Sequence, residues 1–290
     1  MKIRKWAYTY PIFQIQNSNS MSYLVFDIGG THIRCAVSKN GRDFDGAPTI
    51  VNTPATWEEA KKALESLIPK GIQFKKVCVA IAGKFDEAHT QLLSSKNLIG
   101  WEKKPLKKFI ETETGADTIL VNDAVAAAIG EARIGAGKGC TIVAYLTVGT
   151  GLGGARVVDG RLDDNRHGFE PGKQIIDTET GETLEDRVAG AGFIKRFGSN
   201  FVKNVPQEAL DSAAHDLAVG IHNTIDYWSP DVVVLGGGMF FKPHGISLDA
   251  VKKNLTSLSL SEKDFPPILL AKFAEESGLY GALILVSNPR

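Results

Sequence analysis

The sequence predicts an α/β fold made of two similar halves, each with a mixed β-sheet, and a cleft between them. Three observations lead to this prediction. Apolar strand-like segments alternate with helical segments, and a strand–glycine turn–strand unit opens each half, at residues 23–37 and 141–158. An alanine-rich helix lies between the two units and follows a short strand at 119–121. Because ligands bind preferentially between domains, we expect the functional residues in the cleft.

The composition is that of an ordinary globular protein without a charge excess. The 290 residues can bury a sizeable core, and 33 basic residues balance 33 acidic ones. This balance argues against nucleic acid and anionic membranes as partners, and no apolar run is long enough to cross a bilayer. Cys35, Cys78 and Cys140 lie far apart in apolar segments, without metal-ligand spacing. We therefore expect buried, reduced thiols and a cytoplasmic protein.

The first glycine turn has the features of a phosphate site. Asp27 ends an apolar strand, and Gly29, Gly30 and Thr31 form the turn that follows. Backbone N–H groups exposed by such a turn can hold phosphate oxygens. An aspartate beside the turn is well placed to hold Mg²⁺, directly or through water.

The second glycine turn repeats this construction. The strand at 141–148 ends at Gly149, Thr150 and Gly151, and Gly153 follows in the returning strand. Asp123 ends the preceding strand and opens the alanine-rich helix, where its carboxylate could accept a proton from a hydroxyl. Two phosphate turns with such an aspartate between them are typical of a phosphoryl-transfer site.

Each of these motifs also has a purely structural interpretation. Asp123 could cap its helix, and the glycines could simply make tight hairpins. Short motifs match by chance, so a single one favours the structural interpretation. The repetition of the whole construction favours the phosphate site.

Other polar residues are candidates for substrate contacts. The loop 96–101 contains Asn97 and Trp101, which either anchor the loop or touch a ligand. A polar segment at 159–174 carries Glu170 and Lys173. Glu185 lies in the first turn of a helix, where it could merely complement the helix dipole.

A third glycine run, at residues 236–238, follows a buried strand that starts near residue 231. Such glycines allow a flat group to approach the backbone, or they simply make a strand–helix turn. A dinucleotide-binding enzyme is excluded, because the first turn reads DIGGTH and not G-x-G-x-x-G. The capping-box spacing of Thr56 and Glu59 predicts a helix at 57–68, and Pro105, favoured at a first helical position, predicts a helix that starts near 105. Periodicity predicts helices at 206–228 and 278–287 and strands at 76–82 and 268–271.

These motifs, in this order, resemble the ROK sugar kinases (repressors, open reading frames and kinases) of the actin/hexokinase/Hsp70 superfamily. The segments 27–31 and 146–154 resemble the two phosphate motifs, and 232–238 the adenosine motif. The segment 121–124 resembles the one that carries the catalytic aspartate, and 97–101 the Asn-x-x-Gly-Trp loop. The resemblance covers nearly all of the chain from Met21 to the C-terminus.

The resemblance implies two actin-like (ribonuclease H-like) domains with mixed sheets and an interdomain ATP/sugar cleft. Residues 21–122, with a C-terminal helix at about 278–290, would form the small domain, and residues 123–277 the large one. Residues 1–20, an apolar stretch broken by polar residues and Pro11, would be a dispensable, disordered extension. A homodimer is the assembly common in the family.

The implied activity is the ATP- and Mg²⁺-dependent phosphorylation of a hexose, as in glucokinases, with Asp123 as the general base. Alternatives are a kinase for fructose or an N-acetylated amino sugar, and a sugar- or nucleotide-binding sensor without catalysis. Asp27 would position Mg²⁺. ATP would bind through Gly29, Gly30, Thr31, Gly149, Thr150, Gly151, Gly153, Gly237 and Gly238. The sugar would bind through Asn97, Asn122, Asp123, Glu170, Lys173 and Glu185.

Two departures from the family pattern matter. The family's Glu-x-Gly-His reads Glu170-Pro171-Gly172-Lys173 here, and the family cysteines that complete a structural zinc site are absent. We therefore expect no zinc site, while Glu185 is retained. Family repressors carry an N-terminal helix-turn-helix, which twenty residues before Met21 cannot form, so a repressor is disfavoured.

Overall fold

The computed structural model describes residues 21–163, 165, 168–198, 205–242, 245–258 and 265–287. The predicted extension at 1–20 and the predicted helical residues 288–290 lie outside the described residues. Within the described ranges, no helix is long and apolar enough to cross a membrane.

The first half contains a mixed sheet in which an antiparallel hairpin adjoins parallel strands. Among the described residues its five strands lie in the order β3-β2-β1-β4-β7, with β1, β4 and β7 parallel. A short hairpin, β5–β6, lies outside this sheet. The bounds are β1 Ser22–Ile28, β2 His32–Ser38, β3 Thr49–Asn52, β4 Phe74–Ile81, β5 Lys84–Phe85, β6 Leu92–Ser94 and β7 Thr118–Asn122.

The second half repeats this topology. Within the described ranges its strands lie in the order β10-β9-β8-β11-β12, where β8–β9 is the antiparallel hairpin and β8, β11 and β12 are parallel. The bounds are β8 Ile142–Val148, β9 Leu152–Val158, β10 Arg161–Leu162, β11 Val232–Gly236 and β12 Ile268–Leu270. The predicted mixed α/β architecture with two glycine-turn hairpins is therefore confirmed.

Helices cover both faces of the two sheets. The pair α1 and α2 packs on the outer face of the first sheet, α3 and α9 lie between the sheets, and α4 to α8 pack on the outer face of the second. The bounds are α1 Trp57–Leu67, α2 Leu106–Thr114, α3 Asp123–Arg133, α4 Leu184–Val188, α5 Gly190–Phe197, α6 Gln207–Trp228, α7 Gly238–Phe241, α8 Leu248–Leu258 and α9 Ser277–Ser287.

The helices α3 and α9 cross at backbone contact. A Cβ atom added to Gly281 would lie 1.7 Å from the carbonyl oxygen of Ala126, and one added to Gly130 would lie 2.9 Å from the nitrogen of Gly281. The alanines of α3 permit this approach because they present little side-chain volume. Residues of α9 pack against both sheets, so its packing does not decide to which domain the helix belongs. Its assignment to the small domain and the domain boundary between residues 122 and 123 stay predictions.

A fully buried carboxylate, that of Glu131 in α3, joins α3 to the segment before α9. It accepts hydrogen bonds from the backbone N–H groups of Ala136 (2.9 Å), Lys272 (3.0 Å) and Phe273 (3.0 Å), and from the hydroxyl of Ser277 (2.8 Å). Four donors offset the cost of burying the carboxylate. Glu131 thereby fixes the start of α9 relative to the end of α3.

Candidate active site

The first glycine turn lies at the carboxyl edge of the first sheet. Two hydrogen bonds fix the backbone of the turn at Gly29. The Gly29 N–H donates to the carbonyl of His32 (3.0 Å), and the Thr53 hydroxyl donates to the carbonyl of Gly29 (2.7 Å). Gly30 and Thr31 are exposed at the tip. A Cβ atom on Gly30 would lie 2.6 Å from the Cβ atom of Asn97, so only glycine fits beside that loop.

Asp27 lies one strand residue before the turn. Burial, and then the nearby charge of Asp123, raises the pKa of the Asp27 carboxyl to about 7, although Arg34 opposes the shift. Arg34 is itself paired with Glu275 at 2.5 Å. Gly278, in the first turn of α9, lies close to this side chain: a Cβ atom there would lie 2.7 Å from the Asp27 carboxyl carbon. Asp27 is therefore a destabilised carboxylate in a confined space.

We expect Asp27→Asn to stabilise the fold, and more at pH 8 than at pH 5. The folded-state pKa is raised, from 3.8 to about 7, so ionisation costs stability as pH rises through this interval, and the cost is complete above it. Asparagine does not ionise and avoids this cost. Thermal unfolding at both pH values measures the effect, with the exposed Asp45→Asn as control. A lower melting temperature for Asp27→Asn at pH 8 would contradict the assignment.

Asp123 occupies the first position of α3 and does not cap it. The cap is Asn122, whose side-chain oxygen accepts from the N–H groups of Ala124 (3.0 Å) and Val125 (3.2 Å). The structural interpretation of Asp123 as the helix cap is therefore wrong. Burial raises the pKa of Asp123, and the backbone N–H groups of Ala124 and Asp123 oppose the shift. Its carboxylate is thus available for chemistry and more basic than an ordinary aspartate.

Asn122, predicted as a sugar ligand, uses both ends of its amide within the protein. Its oxygen caps α3, and its nitrogen donates to the carbonyl of Gly83 at 3.3 Å. Asn122 therefore fixes the direction in which α3 leaves the sheet. Its contact with sugar stays a prediction.

The second glycine turn is fixed by α5. The N–H groups of Gly190 and Ala191 donate to the carbonyls of Gly149 (2.8 Å) and Thr150 (2.9 Å), and the Gly149 N–H donates to the carbonyl of Gly151 (2.8 Å). Thr150 is exposed at the tip. In β9, a Cβ atom on Gly153 would lie 3.3 Å from that of Ala124, so the second turn adjoins the start of α3, where Asp123 lies.

The third glycine run lies against the second turn. Gly237 has a φ of +90°, and a Cβ atom there would lie 2.4 Å from the carbonyl oxygen of Val148, the residue before the second turn. A Cβ atom on Gly236 would lie 2.3 Å from the Tyr145 hydroxyl. Gly238 then opens α7. The close packing alone requires glycine at 236 and 237, and the predicted nucleotide contact of Gly237 and Gly238 stays a prediction.

Glu185 lies at the centre of a charged cluster on the second turn. One carboxylate oxygen pairs with the ammonium groups of Lys96 and Lys173, the latter at 3.2 Å, and the other accepts from the Leu152 N–H at 2.9 Å. A Cβ atom on Gly151 would lie 2.6 Å from the carboxylate. Burial opposes ionisation, but the hydrogen bonds from Lys96, Leu152 and Lys173 and the charge of Lys96 together outweigh it and hold the pKa of Glu185 below its usual value.

Lys173 therefore contacts Glu185, where the family pattern has a histidine. Among the described residues, no three His, Cys, Asp or Glu side chains group as a metal site. The predicted absence of zinc stays a prediction.

Glu170 and Trp101 occupy other positions. Glu170 lines a cavity of about 220 Å³ with Phe169, Tyr227 and Trp228, at the end of α6. Trp101 is buried and donates its indole N–H to the carbonyl of Pro54 at 2.9 Å, so it anchors its loop. The structure thus brings Asp27, Asp123, Asn97, Lys173 and Glu185 to the two glycine turns, and it directs Glu170 to the aromatic cavity.

The sequence interpretation missed two residues of this region, Lys96 and Gly278. Lys96 precedes Asn97 in a loop that the sequence did single out, but no local pattern pairs it with Glu185. Gly278 is the second residue of the last helix, and a glycine at that position was the sequence signal for a close approach of backbone.

Comparison with known proteins decides the family. Residues 23–288 match the model of the ROK family. The chain belongs to the ROK family. The ROK hexokinase from Thermus thermophilus has a similar structure, with a TM-score of 0.76, 26% identity, and coverage of 92% of this chain and 98% of that one. The fold is therefore the two-domain actin-like fold of ROK kinases, as predicted.

Two relatives of this chain carry names that state an activity. A glucokinase from Thermotoga maritima is 26% identical over 73% of this chain and 79% of its own length. An N-acetylmannosamine kinase from Salmonella newport is 33% identical over 51% of this chain and 52% of its own length. The second match thus spans about half of each protein.

Proposed function

We propose that this ROK protein transfers the γ-phosphoryl group of ATP to a hydroxyl of a hexose, as a glucokinase does. The observation that carries the proposal is the position of Asp123. Its carboxylate does not cap the helix, has a raised pKa, and lies near enough to Asp27 for its charge to raise the pKa of Asp27. The next residue, Ala124, packs against Gly153, which follows the second turn. ROK family membership supports phosphoryl transfer as the chemistry.

In the proposed reaction, Asp123 accepts the proton of the attacking sugar hydroxyl. The sugar oxygen forms a bond to the γ-phosphorus while the bond from that phosphorus to the β–γ bridging oxygen breaks, so ADP leaves with the bond electrons. General-base catalysis of this kind contributes about 10²–10⁴-fold in typical enzymes. The raised pKa of Asp123 suits the role, because a carboxylate that binds protons more tightly is a better base.

The glycine turns would hold the phosphates. The exposed tips at Gly30–Thr31 and Thr150 present backbone that phosphate oxygens can approach, and positioning of this kind supplies most of the acceleration in phosphoryl transfer. Asp27 fits Mg²⁺ chemically, since Mg²⁺ prefers carboxylate oxygens completed by substrate phosphates. The ion would neutralise phosphate charge, and its positive charge would relieve the repulsion between Asp27 and Asp123.

Asn97, Lys173 and Glu185 would define the sugar side of the cleft, with Asn122 and Glu170 as further predicted contacts. Glu185 already accepts from Lys96, Lys173 and Leu152, which reduces its capacity to accept from sugar hydroxyls. The similarity to an N-acetylmannosamine kinase favours a second candidate, an N-acetylated amino sugar as the acceptor.

Sugar-dependent ADP release with MgATP tests the proposal. The panel contains glucose, fructose, mannose, N-acetylglucosamine and N-acetylmannosamine, and we expect the highest kcat/KM with glucose. Turnover confined to the N-acetylated sugars would select the second candidate. No release on any sugar, by a chain that unfolds cooperatively on heating, would contradict the proposal.

A further inference from the structure

The loop that carries Lys96 is rigidly held on both sides. Ser95 donates its hydroxyl to the carbonyl of Ala82 (2.8 Å), and its N–H donates to the carboxylate of Glu102 (2.9 Å). Leu98 is buried in the first core. Lys96 and Asn97 are exposed between these anchors. The backbone at Lys96 is therefore fixed, and its side chain projects from a defined point of the first half.

The two residues between the anchors connect both glycine turns. Asn97 packs against Gly30 in the first turn. The ammonium group of Lys96 contacts the Glu185 carboxylate, which accepts from the Leu152 N–H and lies against Gly151 in the second turn. Lys96 thus extends from the first half to the second turn, in the space between the two proposed phosphate sites.

We propose that Lys96 is a catalytic cation that contacts the oxygens of the transferring phosphoryl group during the reaction. This inference rests on the proposed function. Phosphoryl transfer spreads negative charge over the equatorial phosphoryl oxygens, and kinases stabilise it with Lys, Arg or metal ions. Lys96 forms no covalent bond: the γ-phosphoryl group moves from ATP to the sugar oxygen, ADP leaves with the electrons of the broken bond, and the hydroxyl proton goes to Asp123.

Glu185 acts here as a positioning residue for Lys96. Its hydrogen bond to Lys96 raises the pKa of the ammonium group, so Lys96 stays charged at neutral pH. The Lys96 side chain is 70% exposed, against 15% for Glu185, so the lysine can turn from the carboxylate to a phosphoryl oxygen while Glu185 stays in place. Lys173 pairs with the same oxygen from within the second half and keeps Glu185 neutralised when Lys96 turns away.

Nucleotide affinity tests the contact without turnover. We would measure Kd for MgATP and MgADP by calorimetry in the wild type, Lys96→Met and the exposed Lys104→Met. A charge-assisted contact to the terminal phosphoryl group is worth about 1.5–3 kcal/mol, so Lys96→Met should weaken MgATP binding by about 10–100-fold. MgADP lacks that group, and its Kd should change less than about 3-fold. Lys104→Met should bind both like the wild type.

Measurements of turnover provide a second test of the role of Lys96. Lys96→Met should lower kcat by about 10²–10³-fold, the typical loss of one transition-state donor, with a smaller change in the sugar KM. Lys96→Arg keeps the charge and should recover most of that loss. A role limited to the ion pair with Glu185 would leave the ratio of the MgATP and MgADP affinities unchanged in Lys96→Met.

The outcomes separate the inference from the proposed function. If Lys96→Met has the wild-type ratio of Kd values for MgATP and MgADP and a kcat within 3-fold of the wild type, the proposed role of Lys96 is wrong and the proposed kinase function is unaffected. If the wild type binds MgATP but phosphorylates no sugar on the panel, the proposed function is wrong, and the MgATP/MgADP ratio still decides the contact. If the wild type binds neither nucleotide, both are wrong.

Discussion

Asp123→Asn is expected to lower kcat by about 10²–10⁴-fold while MgATP binding is retained, because asparagine cannot accept the hydroxyl proton. The change keeps the size of the side chain, and the capping of α3 by Asn122 does not depend on it. Steady-state kinetics with the preferred sugar, together with calorimetric titration of MgATP, measure both quantities. The exposed Asp45→Asn is the matched control and should retain wild-type turnover.

The pH dependence of kcat/KM checks the same assignment. Burial raises the pKa of Asp123, so protonation inactivates the base at a higher pH than for an exposed aspartate, and activity should fall as pH decreases through that raised value. Asp27, whose pKa is raised to about 7, should contribute to the same loss of activity at low pH. Turnover by Asp123→Asn within 5-fold of the wild type would exclude Asp123 as the base.

Gly281→Ala is expected to lower the free energy of unfolding by about 3 kcal/mol, at the upper end of typical overpacking costs. The added methyl would lie 1.7 Å from the carbonyl oxygen of Ala126, and backbone on both sides leaves no flexible side chain to move. The higher helix propensity of alanine returns only about 1 kcal/mol. Urea denaturation measures the loss.

A graded series separates this contact from a general effect of substitution. Gly130→Ala, whose added atom lies 2.9 Å from the Gly281 nitrogen, should destabilise less than Gly281→Ala. Lys62→Ala, on the exposed face of α1, should change stability by less than about 0.5 kcal/mol. Equal stability of Gly281→Ala and the wild type would mean that α3 and α9 do not cross at this point.

The sequence predicted most of the fold, because its signals are local. The first hairpin was expected within 23–37 and is formed by Ser22–Ile28 and His32–Ser38. Thr56 caps α1 as its spacing to Glu59 predicted. Pro105, expected at a first helical position, is instead the cap residue of α2. Such one-residue differences arise because propensity acts over a turn and hydrogen bonds decide the end.

For the candidate site, the sequence identified the two glycine turns, Asp27 and Asp123, since each follows directly from a strand end. It assigned Asn122 to the sugar, which stays a prediction, and it did not predict that this side chain caps α3. It placed Glu170 beside Lys173 in one polar segment, whereas their side chains contact different features, the aromatic cavity and Glu185.

The sequence by itself determined the alternation of strands and helices, the repeated turns and the aspartate between them. Backbone propensity and hydrophobic periodicity depend on a few neighbouring residues, so a short stretch of sequence is enough to predict these features. Only the tertiary structure decided that Lys96 contacts Glu185, 89 residues away, and that Glu131 holds Ser277, 146 residues away. Only it placed α9 between the two sheets. These contacts depend on how the two halves pack. Residues far apart in the sequence meet only when the chain folds, so no local sequence pattern predicts that they touch.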